Sequence, residues 1–272
     1  MTAEFDRRTL VGEATFEGPG IHTREVGKAT VRPGNEGIVF IINGERIAAK
    51  PENVTDTAAR TTRLGGVGMI EHLMSALGGL ELTDAEIEVT GREMPILDGS
   101  AQEYLAGLKD AGMAALGSRR SVHLFSRVNV QGESDERIGI SAGTGRWRFD
   151  WERAGSWPGS LSAEVQMPED YETTVAAART FCFEDEMEQI LAAGLGKGGT
   201  EHNTLVIGSD GYLTKCRFED EPPRHKLLDV IGDLMLAGIP ARFLNVVAER
   251  SGHRLNVEAA TRLVEVSNWE EV

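Results

Sequence analysis

Two stretches of this chain read alike. Glu71-His72 runs on through Gly78-Gly79-Leu80, and Arg224-His225 runs on through Gly232-Asp233-Leu234, with the glycines offset by one residue. Each reads as a helix followed by a strand. A chain that repeats such a unit is constrained towards two α+β domains of similar topology, packed face to face, with one histidine from each. That packing would bring together two imidazoles, the Asp229 carboxylate and Glu71, the minimum set for a catalytic zinc with a general base beside it.

The 272 residues suffice for one large domain or two of ordinary size, and 40% apolar content can fill a core. Apolar runs are short and interrupted, so no transmembrane helix is expected. The opening Met1-Thr2-Ala3-Glu4-Phe5-Asp6 is acidic where a signal peptide needs a basic region and an apolar run. An unprocessed, cytoplasmic protein is expected, and a monomer. Cys182 and Cys216 form no Cys-x-x-Cys pair, which argues against a disulfide framework and against a thiolate zinc site. A formal net charge of −15 argues against nucleic-acid binding. A local basic pocket for an anionic substrate remains open, with Arg179, Lys197, Arg224 and Lys226 as its candidates.

Patterning predicts strands over 9–16, 27–31, 37–42 and 85–89, and helices over 69–77 and 101–111. Ser100 is placed to cap the second helix, with Glu103 three residues on. The pattern breaks at 117–120, where a boundary is expected to separate a domain of 1–118 from one of 119–272. Strands are then expected over 122–130, 138–141, 147–151, 161–165, 205–207 and 243–248. Helices are expected over 184–193, 222–237 and 256–264. The turn 196–199 is glycine-rich but lacks the Walker spacing and leads into a strand, so a nucleotide triphosphatase is rejected.

His225 and Asp229 are four apart on the predicted 222–237 helix, so they share a face and can share a metal, with His72 as the distant ligand. The same spacing also suits an ordinary pair on a helix surface. Glu71 points about 100° away from His72 and is placed to take a proton from a water on the metal. A glutamate at a helix start also suits the helix dipole. His253 is placed to act as a protonated histidine that stabilises an oxyanion and protonates a leaving amine, held by Asp233. An exposed loop histidine is the plain alternative.

At these residues the chain resembles the zinc-dependent UDP-3-O-acyl-N-acetylglucosamine deacetylases of lipid A biosynthesis, the LpxC family. The matching segments are Gly18-Pro19-Gly20-Ile21-His22-Thr23, Asp56-Thr57, Glu71-His72-Leu73 and Met94 through Ala101 in the first half. In the second they are Ala178-Arg179-Thr180-Phe181, Gly198-Gly199, Arg217 through Glu221, Arg224 through Asp229, Gly232-Asp233-Leu234 and Ser251-Gly252-His253. They fall in order along nearly the whole chain. The resemblance implies an α+β fold of two similar domains, each a sheet layered against helices, with the active site between them. It implies His72, His225 and Asp229 as ligands of Zn²⁺, with Fe²⁺ as the alternative ion, and Glu71 as general base. His253 would be assisted by Asp233, Thr180 would donate to the oxyanion, and Lys226 would assist or bind substrate phosphate. Phe181, Met187, Ile190, Leu191 and Leu195 match an apolar acyl passage, with Gly199 also at the substrate. The implied partner is a UDP-linked, acylated amino sugar.

The chain departs from the family in a short 58–70 segment, in Thr200-Glu201-His202-Asn203 where Ser-x-Asp-Asn is usual, and over 147–159. A deacetylase of another N-acetylated sugar, or a non-catalytic sugar-nucleotide binder, therefore stays open from sequence alone.

Overall fold

The structure, a computed structural model, describes residues 1–155 and 157–272. Ser156, inside the divergent 147–159 stretch, lies outside the described residues. The chain opens with β1 (Thr2–Leu10), β2 (Ala14–Pro19), β3 (Val26–Arg32), β4 (Ile38–Ile42) and β5 (Glu45–Ala48). A short ribbon of β6 (Val54–Asp56) and β7 (Arg63–Leu64) precedes α1 (Glu71–Gly79), β8 (Ala85–Thr90) and α2 (Gln102–Ala111). After β9 (Met113–Leu124) come β10 (Val128–Gln131), β11 (Arg137–Ala142), β12 (Arg146–Glu152), β13 (Ser160–Gln166) and the single turn α3 (Tyr171–Thr174). The rest is β14 (Phe181–Phe183), α4 (Met187–Ala192), β15 (Leu205–Ile207), α5 (Glu221–Leu234), β16 (Leu244–Glu249), α6 (His253–Glu265) and β17 (Ser267–Glu271).

The two halves are wired identically. One five-stranded sheet has the order β2-β3-β8-β4-β5, the other β10-β11-β16-β12-β13. In each, the central strand arrives last, following α1 or α5 in the chain, and runs parallel to one neighbour and antiparallel to the other. Alternation decides which face each sheet buries: Trp147, Phe149 and Trp151 of β12 point inward while Arg148 is exposed. α1 packs on α5, α5 on β12 and β13, and α6 on β10 and β11. Because α1 and α5 lie at the centre of these layers, they are buried almost all round. Residues 71–78 of α1 are buried, and so is all of α5 except Arg224 and Lys226. No helix among the described residues is long and apolar enough to cross a membrane.

Several expected boundaries move. The 9–16 strand is the end of β1 and the start of β2, divided by a turn at Gly12. The 122–130 strand is broken between β9 and β10, where Phe125 is exposed. The break at 117–120 is no linker. It lies inside β9, which pairs with β1 and β17 in a three-stranded sheet, and the register slips there between Asp6↔Arg119 and Arg8↔Ala115. Gly117 has φ +73°, so the Gly-Ser signal marks a β-bulge. Ser100 accepts the Gln102 N–H at 3.1 Å, but α2 starts beyond Ala101 and Ser100 also donates to Asp98. The 184–193 helix is a 3₁₀ turn over Glu184–Glu186 followed by α4, and the last helix begins at His253 rather than 256.

The central crossing is tight enough to need a glycine. A Cβ on Gly232 of α5 would sit 2.1 Å from the carbonyl oxygen of Glu71, a backbone atom that cannot rotate away. Gly-to-Ala in a helix ordinarily stabilises by about 1 kcal/mol. Gly232→Ala is expected to do the opposite, destabilising by about 1–3 kcal/mol through overpacking. Chemical denaturation measures the sign, and a stability equal to the parent protein would rule the close crossing out.

Candidate active site

The crossing sets the first residues of α1 beside the middle of α5. One donor atom each from His72, His225 and Asp229 then lies within 4.8 Å of the other two, and all three residues are buried. The His72 and His225 rings meet edge-on with centroids 5.1 Å apart. Four residues along α5, Asp229 brings Oδ1 to 3.4 Å from His225 Nε2. His225 Nδ1 lies 3.0 Å from the Ala178 carbonyl oxygen. A carbonyl only accepts, so Nδ1 carries the proton and Nε2 keeps its lone pair on the Asp229 side. His72 Nδ1 is buried with no hydrogen-bond partner. Two buried imidazoles and a carboxylate, one buried imidazole nitrogen unsatisfied, fit a divalent cation.

The protonation states agree with that fit. Burial, with His225 adjacent, pushes His72 down to about 3. Burial also lowers His225, only partly offset by Asp229. Asp229 would be raised by burial, but Lys226 and the surrounding histidines outweigh this and hold it below its ordinary value. The Lys226 Nζ is 2.7 Å from Asp229 Oδ2.

Glu71 and His253 each open a helix. Glu71 Oε2 accepts the Thr62 backbone N–H at 3.1 Å, and Oε1 lies 3.9 Å from His253 Nε2. His253 Nδ1 donates to Asp233 Oδ2 at 2.9 Å. Asp233 also accepts the Thr62 hydroxyl at 2.5 Å and the Asn256 amide at 2.8 Å. Burial works against the imidazolium of His253, but Asp233, Glu71 and Asp229 overcome it and push the group up to about 9. Burial raises Glu71 to about 8, with Asp233 and Asp229 adding to the shift and His253 opposing it. A divalent charge beside Glu71 acts in the opposite direction and favours its ionised form.

These groups open onto a cavity of about 360 Å³ that Thr180, Phe181 and Lys226 also line. Met187, Ile190, Leu191, Leu195 and Gly199 lie outside that cavity. α4 sits at the surface, with Met187 and Leu191 exposed and Ile190 half-buried. The expected basic pocket of Arg179, Lys197, Arg224 and Lys226 does not form as a set. Arg179 is buried against Glu221, Arg224 pairs with Asp220, and only Lys226 faces the cavity. Arg60 and Arg254 supply the other cavity-lining cations. Sequence reasoning missed these two, and also Thr62 and Asn256, which hold the carboxylates. Asn256 had a readable signal, since it lies three residues after His253 on one helix; Thr62 had none.

Residues 7–265 match the family described as LpxC, UDP-3-O-acyl N-acetylglycosamine deacetylase. The chain is similar to proteins named UDP-3-O-acyl-N-acetylglucosamine deacetylase from several bacteria. That of Aquifex aeolicus is 37% identical, with 94% of this chain and 92% of that one covered. That of a Geobacter species is 35% identical, covering 95% and 88%. That of a Nostoc species is 30% identical, covering 96% and 99%.

In metal-free protein His253 is expected to titrate near pH 9 instead of near 6.5, and Asp233→Asn to bring it down, as read by histidine NMR. The folded pKa is raised, so the stability His253 contributes is fully present below about pH 6.5 and is lost as pH rises through about 9. A His253 that titrates at its ordinary value in the parent protein would contradict the Asp233 contact.

Proposed function

This chain belongs to the LpxC family of UDP-3-O-acyl-N-acetylglucosamine deacetylases, and on that premise we propose that His72, His225 and Asp229 hold a zinc ion with Glu71 as the general base beside it. The protein is a metal-dependent amide hydrolase that removes the N-acetyl group of a UDP-3-O-acyl-N-acetylglucosamine in lipid A biosynthesis. The observation that carries the residue assignment is the meeting of two buried imidazoles and a carboxylate, one from α1 and two from α5, within 4.8 Å. Zinc suits this borderline nitrogen and oxygen donor set; Fe²⁺ is the alternative ion. A cation held there supplies Lewis acidity for the acetyl carbonyl and lowers the pKa of a water towards 7.

Glu71 takes a proton from the attacking water as its oxygen bonds to the acetyl carbon. Thr180 and protonated His253 face the carbonyl oxygen and donate to the negative charge that develops on it. His253 is suited to this because Asp233 keeps its proton in place. When the C–N bond breaks, acetate departs and the amine takes a proton from His253; Glu71 is the other group placed to return one. Lys226, beside Asp229, meets the anionic part of the substrate, together with Arg60 and Arg254 at the cavity wall. This local cluster reconciles an anionic substrate with a net charge of −15.

The acyl chain is assigned to Phe181, which lines the cavity, and beyond it to Met187, Ile190, Leu191, Leu195 and the Gly199 turn. The exposed apolar side chains of Met187 and Leu191 on α4 support this assignment. Residues 1–118 contribute Glu71 and His72, and 119–272 contribute His225, Asp229, His253 and the acyl segment.

Metal-loaded protein is expected to release acetate from UDP-3-O-acyl-N-acetylglucosamine and to act far more slowly on the same sugar without its acyl chain. Glu71→Gln should lower kcat by about 10²–10⁴-fold with the bound metal retained. His225→Ala should lose both metal and turnover. Equal turnover on acylated and unacylated sugar would sink the acyl assignment, and an active Glu71→Gln would sink the base.

A further inference from the structure

The chemistry above leaves unused one buried ion pair just beneath the cavity. Arg179 and Glu221 are 4% and 0% exposed, and the segment from Arg217 to Glu221 takes no part in the steps described. Glu221 opens α5, one helical turn before His225. Its Oε1 accepts the Arg179 backbone N–H at 3.0 Å and the Arg179 Nε at 3.0 Å. Its Oε2 accepts the Arg217 backbone N–H at 2.6 Å and the Arg179 Nη2 at 3.4 Å. The Arg179 N–H belongs to the same peptide unit as the Ala178 carbonyl. That carbonyl accepts the His225 Nδ1 proton at 3.0 Å. A single peptide plane therefore joins the Glu221 carboxylate to the His225 imidazole, both carried by α5.

We propose that Glu221 is a positioning residue for the metal centre, acting on His225 through the peptide between Ala178 and Arg179. The inference rests on the reading of His225 as a metal ligand. A carboxylate accepting from one end of an amide polarises it and strengthens the carbonyl at the other end as an acceptor. The stronger acceptor holds His225 in the Nδ1–H tautomer and makes Nε2 a better donor to a cation. Ligand histidines commonly meet a carboxylate or carbonyl directly; here the carboxylate acts at one remove, while Arg179 neutralises its charge. The same clamp fixes the backbone on which Thr180 follows.

A plainer role for Glu221, neutralising Arg179 and no more, uses the same contacts. Two variants separate the roles. Glu221→Gln keeps the shape and removes the charge. Arg179→Lys keeps the backbone N–H and the carboxylate but loses the guanidinium fork. Zn²⁺ affinity is read by competition with a chromophoric chelator, and the His225 tautomer by nitrogen NMR of metal-free protein. Glu221→Gln is expected to weaken Zn²⁺ binding about 10–100-fold and to mix the His225 tautomers. Arg179→Lys is expected to melt earlier yet keep Zn²⁺ affinity and the single tautomer. Equal loss of affinity in both variants, or none in Glu221→Gln, overturns the proposal. Should Glu221→Gln fail to fold, the parent protein still decides, because an Nε2–H tautomer of His225 would overturn it. A parent protein that binds no Zn²⁺ would count against the metal reading itself, whereas the tautomer bears on Glu221.

Discussion

The backbone of Gly232 presses on the carbonyl of Glu71, and the rest of the site depends on that contact. Helices that pack through side chains stand about 8–10 Å apart. Backbone contact at Gly232 places the start of α1 where His72 meets His225 and Asp229. The same contact buries Glu71, Asp229, Asp233 and three histidines together at the centre of the molecule. Buried charge is costly unless each group is paired. Thr62 shows how the pairing is done from outside the two helices: its N–H serves Glu71 and its hydroxyl serves Asp233. The short β6–β7 ribbon thus has a structural task at the site, since Thr62 directly precedes β7.

Burial is common to all these groups, yet it assigns them different roles because their neighbours differ. His72 is held neutral by burial, with His225 adding to the shift. His253 is just as enclosed, but three carboxylates face it and it is held protonated. Two neutral histidines suit a cation, and a protonated one suits an oxyanion. Groups whose surroundings drive their proton affinities apart are the mark of divided acid and base labour. Lys226 extends the logic to Asp229, keeping that carboxylate ionised where burial alone would neutralise it.

Sequence could show the site's donors because helical spacing is local. His225, Asp229 and Asp233 follow one stripe of α5, and the repeat of α1 with α5 signalled that two helices would meet. The strands β3, β4, β8, β11, β12 and β13 were legible because β-branched runs between turn-forming residues, and alternation in β8, are local signals. Features set by distant partners were not. The β-bulge at Gly117 looks like a linker in sequence because its pairing with β1 and β17 lies at the two ends of the chain. Arg179 looks like a substrate cation until Glu221, 42 residues away, is seen to enclose it. Thr62 reaches Asp233 across 171 residues, and no local pattern encodes that.

The identical wiring of the halves makes their difference at one position informative. The residue before each central histidine is Glu71 in α1 and Arg224 in α5. Glu71 turns inward and is 1% exposed. Arg224 turns outward, pairing with Asp220 and lying over the Phe218 ring. An inward carboxylate at 224 would add negative charge to a pocket that already holds Glu71, Asp229 and Asp233. α5 instead carries the carboxylates of the pocket, Asp229 and Asp233, one and two turns after His225, where Lys226 and His253 answer them. A symmetric scaffold therefore yields an asymmetric site, with the proposed base Glu71 on one helix and, on the other, the Asp233 carboxylate that holds His253. Amide hydrolysis needs that asymmetry, because the proton leaves the water on one side of the carbonyl carbon and reaches the amine on the other.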